Sequence, residues 1–208
     1  MSLFITLEGP EGSGKTSVIS VVKDQLEKLN YQVILTREPG GTPISEQIRN
    51  VILDKENTAM DYRTEALLYA ASRRQHLVEK IWPSLKAGKI VFCDRYLDSS
   101  LAYQGYARGL GFDEILKVNE YATEGTYPDL TFLFDIEPEL GLERINKNSN
   151  REVNRLDVEK LSFHHKVRNG YLELSKKFKD RYIVVDASLP IDQVAKIVFD
   201  EIIKRLEK

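Results

Sequence analysis

Gly9-Pro10-Glu11-Gly12-Ser13-Gly14-Lys15-Thr16 is the stretch on which the reading of this 208-residue chain turns. It fits the pattern G-x-x-x-x-G-K-[ST]. An accidental match in a chain of this length has a chance on the order of one in a hundred. The flanks strengthen it. Leu3-Phe4-Ile5-Thr6-Leu7 upstream is a short β-rich run, and Val18, Val22, Leu26 and Leu29 downstream recur at helical spacing, so the motif lies between a strand and a helix. Its glycines permit positive φ and let successive N–H groups face phosphate oxygens. The helix N-terminus adds the positive end of its dipole. Nucleotide contacts are therefore expected from Gly9, Pro10, Glu11, Gly12, Ser13, Gly14, Lys15, Thr16 and Ser17. Lys15 is expected to reach the β- and γ-phosphates, and the Thr16 hydroxyl to ligate Mg²⁺.

Further apolar runs follow at Val33–Thr36, Ile90–Cys93, Leu130–Phe134 and Tyr182–Val185. All five runs are continuous, the pattern of strands buried on both faces. Helical periodicity separates them over roughly 43–53, 62–87, 96–123, 138–147, 156–178 and 190–206. Such alternation predicts an α/β fold with a parallel sheet and helices on both faces. The chain is predicted to be one P-loop-type domain over 1–208, a three-layer fold with a five-stranded parallel sheet. The polar stretch 146–155, Asn-Lys-Asn-Ser-Asn-Arg-Glu-Val-Asn-Arg, reads as a flap, within a lid of about 144–156.

Thirty basic against 32 acidic side chains give a net charge of −2, which speaks against a bulk-basic nucleic-acid binder. A single cysteine, Cys93, excludes an internal disulfide or a cysteine-cluster metal site and points to a reducing, cytoplasmic setting. The N-terminal apolar run is short and lacks a basic leader, so no signal peptide is expected. No apolar stretch is long enough to span a membrane.

Ile90-Val91-Phe92-Cys93-Asp94 is an apolar strand ending in a carboxylate, the place from which a P-loop protein helps hold magnesium. The residues around it separate the P-loop classes. A guanine-reading switch needs Asn-Lys-x-Asp, and Asn146-Lys147-Asn148-Ser149 lacks the Asp. A hydrolytic ATPase usually follows the strand-end Asp with Glu, whereas Arg95 follows Asp94 here. A guanidinium at that place suits a second phosphate-bearing molecule. Arg37 and Arg49 also fall near the sheet's carboxyl edge, where ligands of open α/β sheets bind. A kinase acting on a small phosphorylated acceptor is favoured over a nucleotide-driven switch.

GPEGSGKT, TREPGGTP, RTEALLYAASRRQH, CDRYLDSSLAYQGYARG and YPDLTFLFD together resemble the bacterial thymidylate kinases, from Phe4 to about Pro190. The resemblance implies ATP-dependent phosphorylation of dTMP to dTDP in dTTP biosynthesis, with Mg²⁺ as cofactor, by a homodimer packed through helices. ATP and dTMP are then the partners, without nucleic acid or membrane. It implies that Arg37, Arg49 and Arg95 hold the dTMP phosphate, that Glu11 takes the 3′-hydroxyl, that Gln104 reads the base and that Tyr103 lies near the sugar. Tyr69 and Arg73 are four apart on one helix face, so Tyr69 can stack on the pyrimidine while Arg73 bonds the base. Ser100 shares a face with Tyr103 and Gln104. Tyr103 beside C2′ could exclude a ribose hydroxyl. The family takes its transition-state arginine from the P-loop or the lid. Position 12 is glycine, so the lid arginines Arg151 and Arg155 are the candidates, with Arg151 preferred and Arg155 alternatively pairing with Asp157. Arg144 is placed to stack on adenine. The expected catalytic set is Lys15, Arg95, Arg151, Arg155 and Glu11.

Overall fold

The computed structural model describes residues 2–147, 155–156 and 159–207. Five parallel strands form one sheet: β1 (Leu3–Glu8), β2 (Val33–Arg37), β3 (Ile90–Asp94), β4 (Leu130–Asp135) and β5 (Tyr182–Asp186). Their spatial order is β2-β3-β1-β4-β5. The chain leaves β1 toward β2 and β3 on one side and later returns to place β4 and β5 on the other. The carboxyl end of β1 is thus the switch point, where an open sheet leaves a crevice.

Strand side chains alternate between two cores. Leu3, Ile5 and Leu7 pack with Phe92, Phe132 and Phe134 against Val18, Val22 and Leu26 of α1 (Lys15–Lys28) and Val194, Val198 and Ile202 of α9 (Ile191–Leu206). Phe4, on the opposite face, joins Val91, Cys93 and Leu133 against Val167, Tyr171 and Leu174 of α8 (Leu161–Lys177). Thr6 and Glu8 continue that second face of β1, and the Thr6 hydroxyl pairs with that of Thr131 at 2.9 Å.

Two expectations change. The edge strands are not buried on both faces: Leu35 of β2 is 37% exposed and Val184 of β5 51%, because each lacks a neighbour on one side and a full helical cover. The helical pattern over 96–123 is also interrupted. It comprises α5 (Leu97–Ser100), a π-helical segment Leu101–Ala107 and α6 (Phe112–Thr123), with Gly109 and Gly111 at positive φ in the turn between them. The 62–87 pattern keeps its path as α3 (Tyr62–His76), a π-helical turn Leu77–Ile81 and α4 (Trp82–Lys86). Pro43–Leu53 forms α2 and Pro138–Asn146 forms α7. Among the described residues no helix is long and apolar enough to cross a membrane.

Candidate active site

From Glu8 the chain turns through Gly9, Gly12 and Gly14, all at positive φ, and enters α1 at Lys15. Gly12 has a second reason to be glycine: a Cβ there would lie 2.1 Å from the Gly141 carbonyl oxygen of α7. An arginine at position 12 would collide with backbone. Lys15 Nζ donates to the carbonyls of Gly9 and Pro10 at 3.2 and 3.0 Å and to Ser13 Oγ at 3.0 Å. Burial, and then the nearby Arg95 charge, pull its pKa down to about 8. Thr16 Oγ1 donates to Asp94 Oδ2 at 3.0 Å. This juxtaposed hydroxyl and carboxylate are hard oxygen donors of the kind Mg²⁺ takes.

Arg95 adopts a left-handed backbone at φ 67°, a strained conformation for a residue with a Cβ that must be held by its surroundings. Its N–H donates to Leu7 O at 2.9 Å, and the next amide, of Tyr96, donates to Glu8 Oε1 at 2.8 Å. The guanidinium then reaches Gly9 O at 2.9 Å, the Tyr171 hydroxyl at 3.0 Å and Glu11 Oε1 at 2.6 Å. Tyr103 donates to the same Glu11 oxygen at 3.2 Å. Glu11 inside the P-loop is thereby partnered by Arg95 and Tyr103, and its charge is balanced by a guanidinium.

Arg37 and Arg49 converge on one carbonyl, that of Pro39, at 3.0 and 2.9 Å, after a cis Glu38–Pro39 bond. Arg73 is almost fully buried. Nε bonds Glu38 Oε2 at 2.7 Å, Nη1 bonds Ser100 Oγ at 3.1 Å and Asn119 Oδ1, and Nη2 bonds Tyr96 O at 2.9 Å. Glu38 is braced in turn by His76 Nδ1 at 3.0 Å. Gln104 Nε2 donates to Glu65 Oε1 at 2.8 Å. Burial, reinforced by Glu65, pushes the Tyr69 hydroxyl's pKa up, so it stays a neutral phenol.

One cavity of about 850 Å³ joins these groups. One end holds the P-loop from Glu11 to Val18 and Asp94. The other holds Arg37, Arg49, Tyr69, Arg73, Tyr103 and Gln104, with Arg95 between. Arg144 lines the P-loop end beside Ser188–Ile191, anchored by a 2.8 Å bond to Ala187 O. Four expected residues stand off the lining: Gly9 and Pro10, whose carbonyls accept from Lys15 Nζ, and two more. Ser100 supports Arg73 from behind. Arg155 pairs with Glu65 and donates from Nε to Ile52 O at 3.0 Å, so it braces the partner of Gln104 instead of extending toward the P-loop. Asp157, its alternative partner, and Arg151 lie outside the described residues.

A family profile described as Thymidylate kinase matches residues 7–198. Thymidylate kinase of Geobacillus sp. (strain WCH70) is 57% identical over 204 residues, covering 98% of this chain and 97% of its own. That of Clostridium novyi (strain NT) is 61% identical over 191 residues, with 92% and 93% covered. The crystal structure of thymidylate kinase from Ehrlichia chaffeensis superposes with a TM-score of 0.77 at 35% identity, covering 100% of this chain and 99% of that one. The chain belongs to the thymidylate kinase family. Within this thymidylate kinase framework several supporting residues escape sequence reasoning: Glu8, Glu38, Glu65, Asn119 and Tyr171. Glu65 alone carried a usable signal. It stands four before Tyr69 and eight before Arg73, a charged residue on the helix face those two share.

Proposed function

We propose that the protein transfers the γ-phosphoryl group of ATP to dTMP, releasing ADP and dTDP. The observation that carries this is the single cavity, with a phosphate cradle at one end, a stacking ring and two base-reading side chains at the other, and Arg95 where the phosphates meet. ATP is cradled by the loop amides and Lys15, with adenine in the niche of Arg144 and Ser188–Ile191. Tyr69 stacks on thymine, and Arg73 and Gln104 read its edge. Arg37, Arg49 and Arg95 hold the 5′-phosphate. Glu11 accepts from the 3′-hydroxyl, and Tyr103 crowds C2′.

A dTMP phosphate oxygen attacks the γ-phosphorus in line, the bond to the β-phosphate bridging oxygen breaks, and the electron pair leaves on ADP. No covalent enzyme intermediate is needed. Charge growing on the transferred oxygens is met by Lys15 and Arg95, and positioned donors stabilise it most at the transition state. Thr16 and Asp94 fit Mg²⁺ by their oxygen donors, and bound there the ion would neutralise phosphate charge. Of the two lid arginines, Arg151 takes the transition-state role, since Arg155 is committed to Glu65. Exposed Ile44 and Val51 on α2 and Leu67 on α3 support a homodimer packed through helices, and the lone buried Cys93 a cytoplasmic setting.

An acceptor screen tests the assignment. With Mg-ATP, ADP release should be strong for dTMP, weaker for dUMP, and near background for dCMP, dGMP, AMP, UMP, ribothymidine monophosphate and thymidine. ADP release independent of acceptor would overturn it. Robust use of ribothymidine monophosphate would remove the role given to Tyr103.

A further inference from the structure

Glu65 lies in the first turns of α3, whose N-terminus is capped by Asp61 through the amides of Arg63 and Thr64, and it has no exposed surface. Three side chains from two distant segments meet on it. Gln104 Nε2 bonds Oε1, Arg155 Nη2 bonds Oε2, and Arg108 approaches Oε2 at 3.4 Å. Arg108 is held from its other side by Glu159 at 2.7 Å. Burying a charged residue is costly unless it is paired and hydrogen-bonded, and here the two guanidinium groups and the amide supply that.

The chemistry of this cluster fixes an orientation. A carboxylate beside two guanidinium groups is an acceptor, so the neighbouring carboxamide must present its NH₂ to it. Gln104 Oε1 is then turned away. It has no partner among the described residues, and Gln104 lines the acceptor end of the cavity. Arg73, lining the same end, can only donate. The wall therefore offers a donor and an acceptor side by side. Thymine and uracil answer with O4 and N3–H, whereas cytosine presents N4–H₂ and an unprotonated N3 and is mismatched twice.

We propose, on the assignment of the cavity to dTMP, that Glu65 is the positioning residue for base discrimination: by holding the Gln104 amide nitrogen, it keeps the carboxamide oxygen facing the base. Replacing Glu65 by glutamine removes that constraint. The new amide can donate as well as accept, and Gln104 can then rotate to offer N–H to N3 of a cytosine.

The test compares KM for dTMP with the competitive Ki of 5-methyl-dCMP, which keeps thymine's methyl group. Glu65→Gln alone leaves the Arg155 charge buried against an amide and can unfold the protein, so it is also made together with Arg155→Met, and Arg155→Met is made alone. The wild type should prefer dTMP by about a hundredfold or more. The Glu65→Gln/Arg155→Met variant should lose about tenfold or more of that preference through KM and Ki, since an unpaired buried polar group is what enforces such rejection. Its KM for ATP should stay within about twofold and kcat at saturating dTMP within about fivefold. Arg155→Met alone should keep the wild-type preference, because Glu65 still faces Gln104. Unchanged discrimination in the double variant overturns the role of Glu65 alone. Equal loss in Arg155→Met also overturns it, transferring the effect to the arginine. Absence of discrimination in the wild type would instead sink the dTMP assignment itself.

Discussion

The two ends of the cavity are built in opposite ways. The donor end comes from one uninterrupted stretch, Gly9–Thr16, and works largely through backbone: positive-φ glycines and a helix start, with Lys15 the main charged side chain. The acceptor end comes from side chains of scattered elements. Arg73 alone is oriented by Glu38 after β2, by Ser100 and the Tyr96 carbonyl after β3, and by Asn119 on α6. A backbone cradle recognises what every nucleoside triphosphate shares. On the proposed assignment the wall of bonded side chains reads one base, and every side chain in it needs its own support.

Lys15→Ala should have the largest effect, because it removes the buried cation held inside the loop itself by the Gly9 and Pro10 carbonyls. We expect kcat to fall by about a thousandfold, the scale for losing a preorganised donor to a developing charge. The loss should be the same for dTMP and dUMP. Dependence of the loss on acceptor would break the division between the two ends.

The lid arginines sharpen it. Arg151→Ala should lower kcat by about a hundredfold with KM for dTMP nearly unchanged, as for a contact made in the transition state. Arg155→Met should leave kcat within about threefold, since its partners Glu65 and Ile52 O belong to the acceptor wall. Single-turnover rates for both variants decide the matter. A kcat collapse in Arg155→Met with Arg151→Ala unaffected would reverse the assignment.

This contrast also sets what could be read from the sequence. The P-loop, the five strands and the Asp94–Arg95 pair are local patterns, so their meaning is carried by neighbours a few positions away. Tyr69 with Arg73, and Tyr103 with Gln104, are helical faces and were equally legible, although the π-helical segment Leu101–Ala107 was not. The burial of Glu38, Glu65 and Glu8 was not legible, because charged residues are buried only when partners arrive from elsewhere. For Glu65 and Arg155 the two partners are 90 positions apart. Position 12 illustrates both cases. Its glycine is visible in the sequence and points to the lid for an arginine, yet the reason for the glycine, the Gly141 carbonyl on α7, needed the packed structure.

Glu8 stands between the two ends and gives the smallest expected effect. It is wholly buried beneath the loop, accepting from Tyr96 N, Ser99 Oγ at 2.6 Å and the Tyr171 hydroxyl at 2.9 Å. Burial first, and then the Asp98 charge, raise its pKa from 4.5 to about 7, against the opposing pull of the two hydroxyls and Arg95. Lys15 and Arg181 also lie within its field, and Arg181 pairs with Asp98 at 2.7 Å. The sign follows from proton binding. Between about pH 4.5 and 7 the folded chain holds a proton that the unfolded chain has released, so this group's contribution to stability falls as pH rises through that window and is level above it. Glu8→Gln keeps the shape and cannot titrate. Over pH 5 to 7.5 the wild type should therefore lose about 5 °C more in Tm than the variant, measured by calorimetry in buffers of matched ionic strength. Parallel Tm profiles would mean that Glu8 is ionised throughout and that the Ser99 and Tyr171 hydroxyls, together with the Tyr96 amide, suffice to hold a charge under the cradle. The carboxylate would then belong with the acceptor end's fully partnered groups, and its link to Arg95 through Tyr171 would be structural support of the same kind that Glu38 gives Arg73.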